Sequence, residues 1–451
     1  MEIKVIDAIC GAGKTSYAIQ TINDHSQVGF GTDGDIFTSD KKFIYVTPYL
    51  AEVERVLNST KAEFAEPYSK RGSKYEHAKK LIEDGKSIVM THKLFSMLDN
   101  ETLDSIESEG YVLFMDEVAN VLEQIRISQQ DIQVLIKSRQ IEIDVDGQVH
   151  WIAEEYESVE DNRFRDIRVL AENENLFIYN NIAMFWTMNI RAFLAFDEVY
   201  ILTYLFDGQI QKYYYDLYDV QYEKYSVVQK NGRYELVDYN SLIEPRGEIG
   251  DLLTIYEDYQ SSTGRKSNLN TNFLQNPLKN KIDDSRTALS KSWFDKAHKT
   301  QIEQLRKNLI NFFRNRCITE PSNQKLFWTT LKSYAPKLKN KKCTLNKKDD
   351  RSRDNYVPLN MRATNAYSEC TAMAYVYNRF MNPMENRFFN SRGIKVDVDQ
   401  LAMSDLIQFL FRGCIRNGQP MDCYIPSERM RELLMQWVDF AEGNDEYVVG
   451  E

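Results

Sequence analysis

The sequence predicts an α/β protein built from two parallel-sheet domains in tandem. Three observations lead there. Short, continuously apolar runs alternate with helical stretches along the chain, the pattern of strands covered on both faces. The first of these runs leads into a Gly-rich loop and then a helix. At 451 residues the chain is too long for one small core. The expected division is residues 1–210 with a small insertion at about 121–190, and residues 211–451 with a partly helical insertion at about 240–325.

Taken in order, Ile3–Asp7 is a short strand, followed by the loop Ala8–Thr15 and a helix over Ser16–Ile22. Phe43–Pro48 reads as a second strand with a helix from about Leu50, Ser87–His92 as a third, Tyr111–Glu117 as a fourth and Val199–Tyr204 as a fifth. Two hairpins stand apart from this pattern. Ile141–Ile152 carries Asp146-Gly147, and Tyr225–Tyr239 carries Asn231-Gly232, dipeptides suited to tight antiparallel turns. The first is expected in the insertion, the second near the start of the next domain. Ser261–Ser290 is polar and reads as a loop, and Ile302–Arg314 as an amphipathic helix. Strands are expected at Leu326–Thr330, Tyr356–Asn360 and Met421–Ile425, with helices at Thr371–Phe380, Ser404–Arg416 and Ser427–Phe440.

Composition narrows the class. Hydrophobic residues make up 43% and charged residues 27%, an ordinary globular balance. No apolar run reaches the length of a bilayer span, and MEIKVIDAIC has neither a basic start nor a sustained apolar stretch, so a cytoplasmic protein without membrane partners is expected. Cys10, Cys317, Cys343, Cys370, Cys414 and Cys423 form no CxxC pair, which points to reduced thiols rather than zinc or a disulfide framework. The net charge of −11 argues against nucleic acid, but Gln301–Arg353 holds 14 Lys or Arg against 4 Asp or Glu. Within it, Lys337–Lys348 reads equally as a phosphate-contacting segment and as a solvated loop, and Trp328 and Tyr334 are candidate base-stacking aromatics.

The chemistry concentrates in three places. Ala8-Ile9-Cys10-Gly11-Ala12-Gly13-Lys14-Thr15 matches a phosphate-binding loop except that Ala8 replaces the first Gly. Small residues let backbone N–H groups wrap phosphates, Lys14 brings charge to the β and γ phosphates, and the Thr15 hydroxyl ligates magnesium. A nucleoside triphosphate with Mg²⁺ is therefore the expected ligand, with ATP as the cofactor. Asp116-Glu117 emerges at the carboxyl end of an apolar strand, the edge where open parallel sheets bind ligands. Asp116 is the candidate magnesium holder and Glu117 the base that polarises water. Finally, Gln408, Arg412 and Arg416 are four residues apart, so one helix would present them on a single face. Arginines so placed stabilise charge on a transferring phosphoryl group.

The ordered series, phosphate loop, VTPYLAEVERV, VMTHKLF, LFMDEVA, ILTYLF and then QFLFRGCIR, resembles the motif series of superfamily 2 helicases, of the kind that phages and mobile elements encode. The resemblance implies two RecA-like domains with ATP hydrolysed in the cleft between them. It assigns Thr47-Pro48 to motif Ia, Thr91-His92 to motif Ib, Asp116 and Glu117 to motif II and Thr203 to motif III. Gln408, Arg412 and Arg416 fall at motif VI, where the family's second Arg comes one residue earlier than Arg416 does. Leu326–Thr330 stands at motif IV and Met361–Asn365 at motif V. Thr47, Thr91, His92, Thr364 and Asn365 become candidate nucleic-acid contacts. The function implied is an ATP-dependent helicase or translocase, on single-stranded or forked DNA foremost with RNA open, in replication or with another protein partner in the bacterial host cytoplasm. A nucleotide-dependent switch or scaffold that binds a protein and unwinds nothing stays open beside it.

Overall fold

A computed structural model describes residues 2–25, 29–30, 36–37, 41–48, 50–61, 63–69, 73–153, 163–260, 264–318, 325–339, 354–359 and 366–439. The chain divides into two compact units. One comprises Met1–Ala8, Ala12–Tyr239 and Met381–Val396, the other Ile9–Gly11, Asn240–Phe380 and Asp397–Glu451.

The first unit begins with β1 (Glu2–Asp7), α1 (Lys14–His25), β2 (Lys42–Thr47), α2 (Leu50–Ser59), β3 (Ile88–Thr91) and β4 (Tyr111–Asp116). An insertion follows: β5 (Leu122–Gln124), α3 (Gln129–Lys137), β6 (Ile141–Ile143), β7 (Val149–Trp151), α4 (Arg165–Glu172), β8 (Leu176–Tyr179) and β9 (Ala183–Thr187). The chain then returns through β10 (Glu198–Thr203) to the hairpin β11 (Glu223–Lys230) and β12 (Arg233–Asp238).

The main sheet has the order β12-β11-β1-β10-β4-β2-β3, parallel throughout except for the β11–β12 pair. Its strands are apolar at consecutive positions because both faces are covered. Val5, Ile44, Val46, Leu113, Met115 and Ile201 enter one core cluster. Their alternating neighbours Ile6, Phe43, Tyr45, Phe114 and Leu202 enter another, with Ala18 and Ile22 of α1. The phosphate-loop strand β1 and the Asp116 strand β4 flank β10, an order that gives the unit its RecA-like build.

The insertion carries a three-stranded antiparallel sheet, β8-β9-β5, and the expected hairpin β6–β7. Gly147 turns that hairpin at φ +81°, a conformation costly for residues with a Cβ. A helix from a distant part of the chain, Pro383–Asn390, also belongs to this unit. Its Asn382 cap donates to Gln124 at 3.1 Å, and the buried Phe388 ring lies 4.7 Å from Phe185. Nothing in the sequence marked that return. The second hairpin, expected at the start of the next domain, instead extends the first unit's sheet, with Asn231 (φ +52°) and Gly232 (φ +78°) forming its turn.

The second unit holds a fully parallel sheet of β13 (Leu253–Ile255), β14 (Leu326–Thr329), β15 (Ala372–Tyr375) and β16 (Met421–Tyr424), in the order β13-β16-β15-β14. Helices α5 (Lys299–Asn315), α6 (Val398–Leu410) and α7 (Glu428–Asp439) belong to it. The molecule is thus mixed α/β with a parallel sheet in each unit.

Several expectations change. Residues 371–380 were expected as a helix, but β15 runs there: Ala372-Met-Ala-Tyr375 is buried on both faces and paired on both edges, which outweighs its helical propensity. β13 lies inside the expected insertion yet pairs with β16. The stretch expected as a polar loop buries Leu269, Phe273, Leu274 and Leu289 in the unit's core. Tyr356 forms only an isolated bridge with Trp328. Trp328, expected as a stacking surface, is fully buried, and Tyr334 packs on Phe294 while donating to Asp295.

Candidate nucleotide site

The site grows from the carboxyl ends of β1, β10, β4 and β2. After Asp7 the chain leaves the sheet, and the Ala8 amide donates to the Thr203 carbonyl at 3.2 Å. Gly11 (φ +92°) and Gly13 (φ +104°) take backbone conformations that side chains resist, and this lets the loop coil tightly. Lys14 opens α1, and its ammonium donates back to the Ala8 carbonyl, closing the loop. The Tyr17 amide donates to Gly13 at 2.8 Å, so α1 is already wound at the loop's end. Free backbone N–H groups at such a helix start attract anions.

Across β10, Asp116 ends β4. Burial pushes its carboxyl up to about 7, Glu117 and Glu52 add to the rise, and Lys14 and Arg55 oppose it. Glu117 sits at φ +67°, its amide donating to Leu202 at 2.9 Å, a strained backbone of the kind found where a side chain must be aimed. Its Oε2 is buried with no hydrogen-bond partner among the described residues. A partly buried carboxylate pair with one unpartnered oxygen fits a cation, and Thr15 with Asp116 are the residues that would hold Mg²⁺ alongside phosphate oxygens. Among the described residues no group of three His, Cys, Asp or Glu side chains could hold a metal by itself.

Other residues of this centre went unseen in the sequence. Tyr45 is fully buried, its phenol pushed well up by burial with Asp116 adding to the rise, and Glu52 of α2 acts on both groups. Asp7 is buried at 1% exposure, and its carboxylate accepts from the amides of Leu205 (2.7 Å) and Phe206 (3.0 Å). It thereby ties the phosphate-loop strand to the turn after Thr203. Asp7 had a legible signal, a carboxylate closing an apolar strand just as Asp116 does. Tyr45 had none, because an aromatic in a buried strand reads as core.

The residues expected to meet nucleic acid fall in varied places. Thr47 is fully buried, which removes its side chain from any surface, and so is Thr203, the residue placed at motif III. Thr91 caps the short helix His92–Phe95 by accepting from Leu94. His92 Nε2 lies 2.7 Å from the Asp116 carbonyl, which can only accept, so the ring donates and steadies the β4 end. Thr364 and Asn365 lie outside the described residues, as do positions 340–348 of the Lys-rich stretch.

In the second unit, α6 ends at Leu410 with Phe411 as its C-cap, and a separate 3₁₀ turn covers Cys414–Asn417. Gly413 between them is extended (ψ −170°), and an added Cβ there would meet Met421 at 2.5 Å. Gln408, Arg412 and Arg416 therefore do not share a helical face. Gln408 is half-buried on α6, Arg412 is buried against the Phe409 ring at 5.3 Å, and Arg416 is exposed.

The fold and loop define a RecA-like α/β protein with a phosphate-loop motif. Within that class the chain belongs to the YonV family. It is 35% identical over 448 residues to the SPbeta prophage-derived uncharacterized protein YonV of Bacillus subtilis (strain 168), covering 97% of this chain and 98% of that one. The YonV middle domain matches residues 122–186, the insertion, and the YonV C-terminal Rossmann-like domain matches residues 265–438. Among solved structures the chain is similar to one titled XPD_Helicase (TM-score 0.45, 10% identity, 98% and 95% of the two chains). It is likewise similar to S. tokodaii Xpd4 (TM-score 0.46, 11% identity, 99% and 95%). Neither likeness assigns an activity.

Proposed function

We propose that this protein is an ATP-hydrolysing, helicase-like motor acting on nucleic acid, with DNA as the favoured track. The observation that carries the reading is the pairing of a Lys14-Thr15 loop on β1 with Asp116-Glu117 at the end of β4, where Glu117 Oε2 is buried without a hydrogen-bond partner among the described residues. Lys14 exchanges the Ala8 carbonyl for β and γ phosphate oxygens. Thr15 and Asp116 would hold Mg²⁺, which would supply positive charge beside the phosphates. Glu117, aimed by its strained backbone, accepts the proton of the attacking water. His92 and Asp7 hold the strand ends that carry these groups. Arg412 is the candidate for stabilising charge on the transferring phosphoryl group.

The test is ATP turnover measured alone and with single-stranded DNA, forked DNA and RNA. Stimulation by one of them, lost in Lys14→Ala, is expected; flat turnover on all of them counts against a motor. The burial of Thr47 and the net charge of −11 favour a second reading, a nucleotide-dependent switch that binds a protein partner. Nucleotide binding without nucleic-acid affinity at low salt would support it.

A further inference from the structure

The hairpin β11–β12 is fastened to the phosphate loop's helix by three separate ties. Gln20 of α1 makes two hydrogen bonds to the backbone of Tyr234, Nε2 donating to its carbonyl (2.8 Å) and Oε1 accepting from its amide (3.0 Å). Arg233 pairs with Asp24 at the far end of α1. The Tyr234 ring itself lies on Gly13, and a Cβ built on that glycine would stand 2.2 Å from one ring carbon and 2.6 Å from the next. The ring thus occupies the space that a side chain at position 13 would need.

We propose that Tyr234 is a positioning residue for the triphosphate, acting through Gly13. A glycine at φ +104° has many alternative conformations once its neighbours let it move. A flat ring seated on one side of it, held in register by Gln20, removes those alternatives and keeps the loop's N–H groups converged before the nucleotide arrives. Binding then costs less ordering entropy. The same strand β12 is the last element of the first unit before the chain passes to the second at Asn240. The proposal rests on reading residues 8–15 as a triphosphate site.

Calorimetric titration of the full chain with ADP and with ATP, each with Mg²⁺, tests it using Tyr234→Phe and Tyr234→Ala. Tyr234→Ala should weaken both ligands by about tenfold, the scale of lost preorganisation, while Tyr234→Phe binds as the wild type does. In turnover, KM should rise with kcat little changed. If Tyr234→Ala unfolds the unit, Tyr234→Leu, which keeps apolar volume without the flat ring, makes the same comparison. Wild-type affinity in a folded ring-less variant overturns the proposal alone. Failure of the wild-type chain to bind either nucleotide overturns the triphosphate reading, and the proposal with it.

Discussion

Replacing Asp7 with Asn should make the chain's stability less sensitive to pH, by an amount that the buried carboxyl sets. Burial raises the Asp7 carboxyl from 3.8 to about 6, against the opposing pull of the Phe206 amide, Lys224 and the Leu205 amide. A carboxyl raised on folding keeps its proton in the native chain while the unfolded chain loses it. Its stabilising contribution is therefore whole below about pH 4 and declines as pH rises through about 6. Between pH 4.5 and 6 the decline amounts to about 2 kcal/mol at 1.36 kcal/mol per unit. Asn cannot titrate, so the stability difference, Asn variant minus wild type, should grow by about 2 kcal/mol between pH 4.5 and 7.5. For a unit of this size that is roughly 4–8 °C in Tm, read by scanning calorimetry on both proteins at several pH values. Comparing the two proteins at each pH removes the contribution of every other titrating group. A difference that stays flat, or shrinks as pH rises, refutes the assignment of a raised carboxyl to Asp7.

Other outcomes follow from the same geometry. Glu117→Gln should keep Mg-nucleotide affinity and lose about 10²–10⁴-fold in turnover, since only proton transfer is removed; unchanged turnover would exclude it as the base. Gly13→Ala should cost about 1–3 kcal/mol from overpacking against Tyr234, and part of that loss should return in a Tyr234→Ala background, as paired melting curves would show. Phe388→Ala should cost about 3–5 kcal/mol by opening a cavity beside Phe185, with limited proteolysis of the insertion as the local readout. Arg412→Ala should reduce turnover without altering ADP affinity, and an equal loss in both would assign Arg412 a structural task instead.

The alternation of apolar runs with helices was sufficient to read β1, β2, β3, β4 and β10 of the first sheet, because strands covered on both faces must be apolar at successive positions, but only β14 and β16 of the second. The strand–loop–helix context of residues 8–15 was equally legible, since its glycines, Lys14 and Thr15 are local in sequence and its shape depends on neighbouring dihedrals. The four-residue spacing of Gln408, Arg412 and Arg416 misled: periodicity assumes an unbroken helix, and this one ends at Leu410 before a separate 3₁₀ turn at Cys414–Asn417. Ala372–Tyr375 misled for a related reason, as four apolar residues carry no period of their own and only flanking strands decide their conformation.

What the sequence alone determined, then, is where the candidate chemistry sits on contiguous residues: the Lys14-Thr15 loop, the Asp116-Glu117 pair and the strands that present them. What only tertiary structure decided is which distant residues pack against those candidate groups. Asp7 reaches Leu205 and Phe206, His92 holds the Asp116 carbonyl, and the Tyr234 ring rests on Gly13. Each joins positions between 24 and 221 residues apart, as the residue numbers show. Such contacts arise from the order in which parallel strands assemble, which no local pattern of side chains encodes.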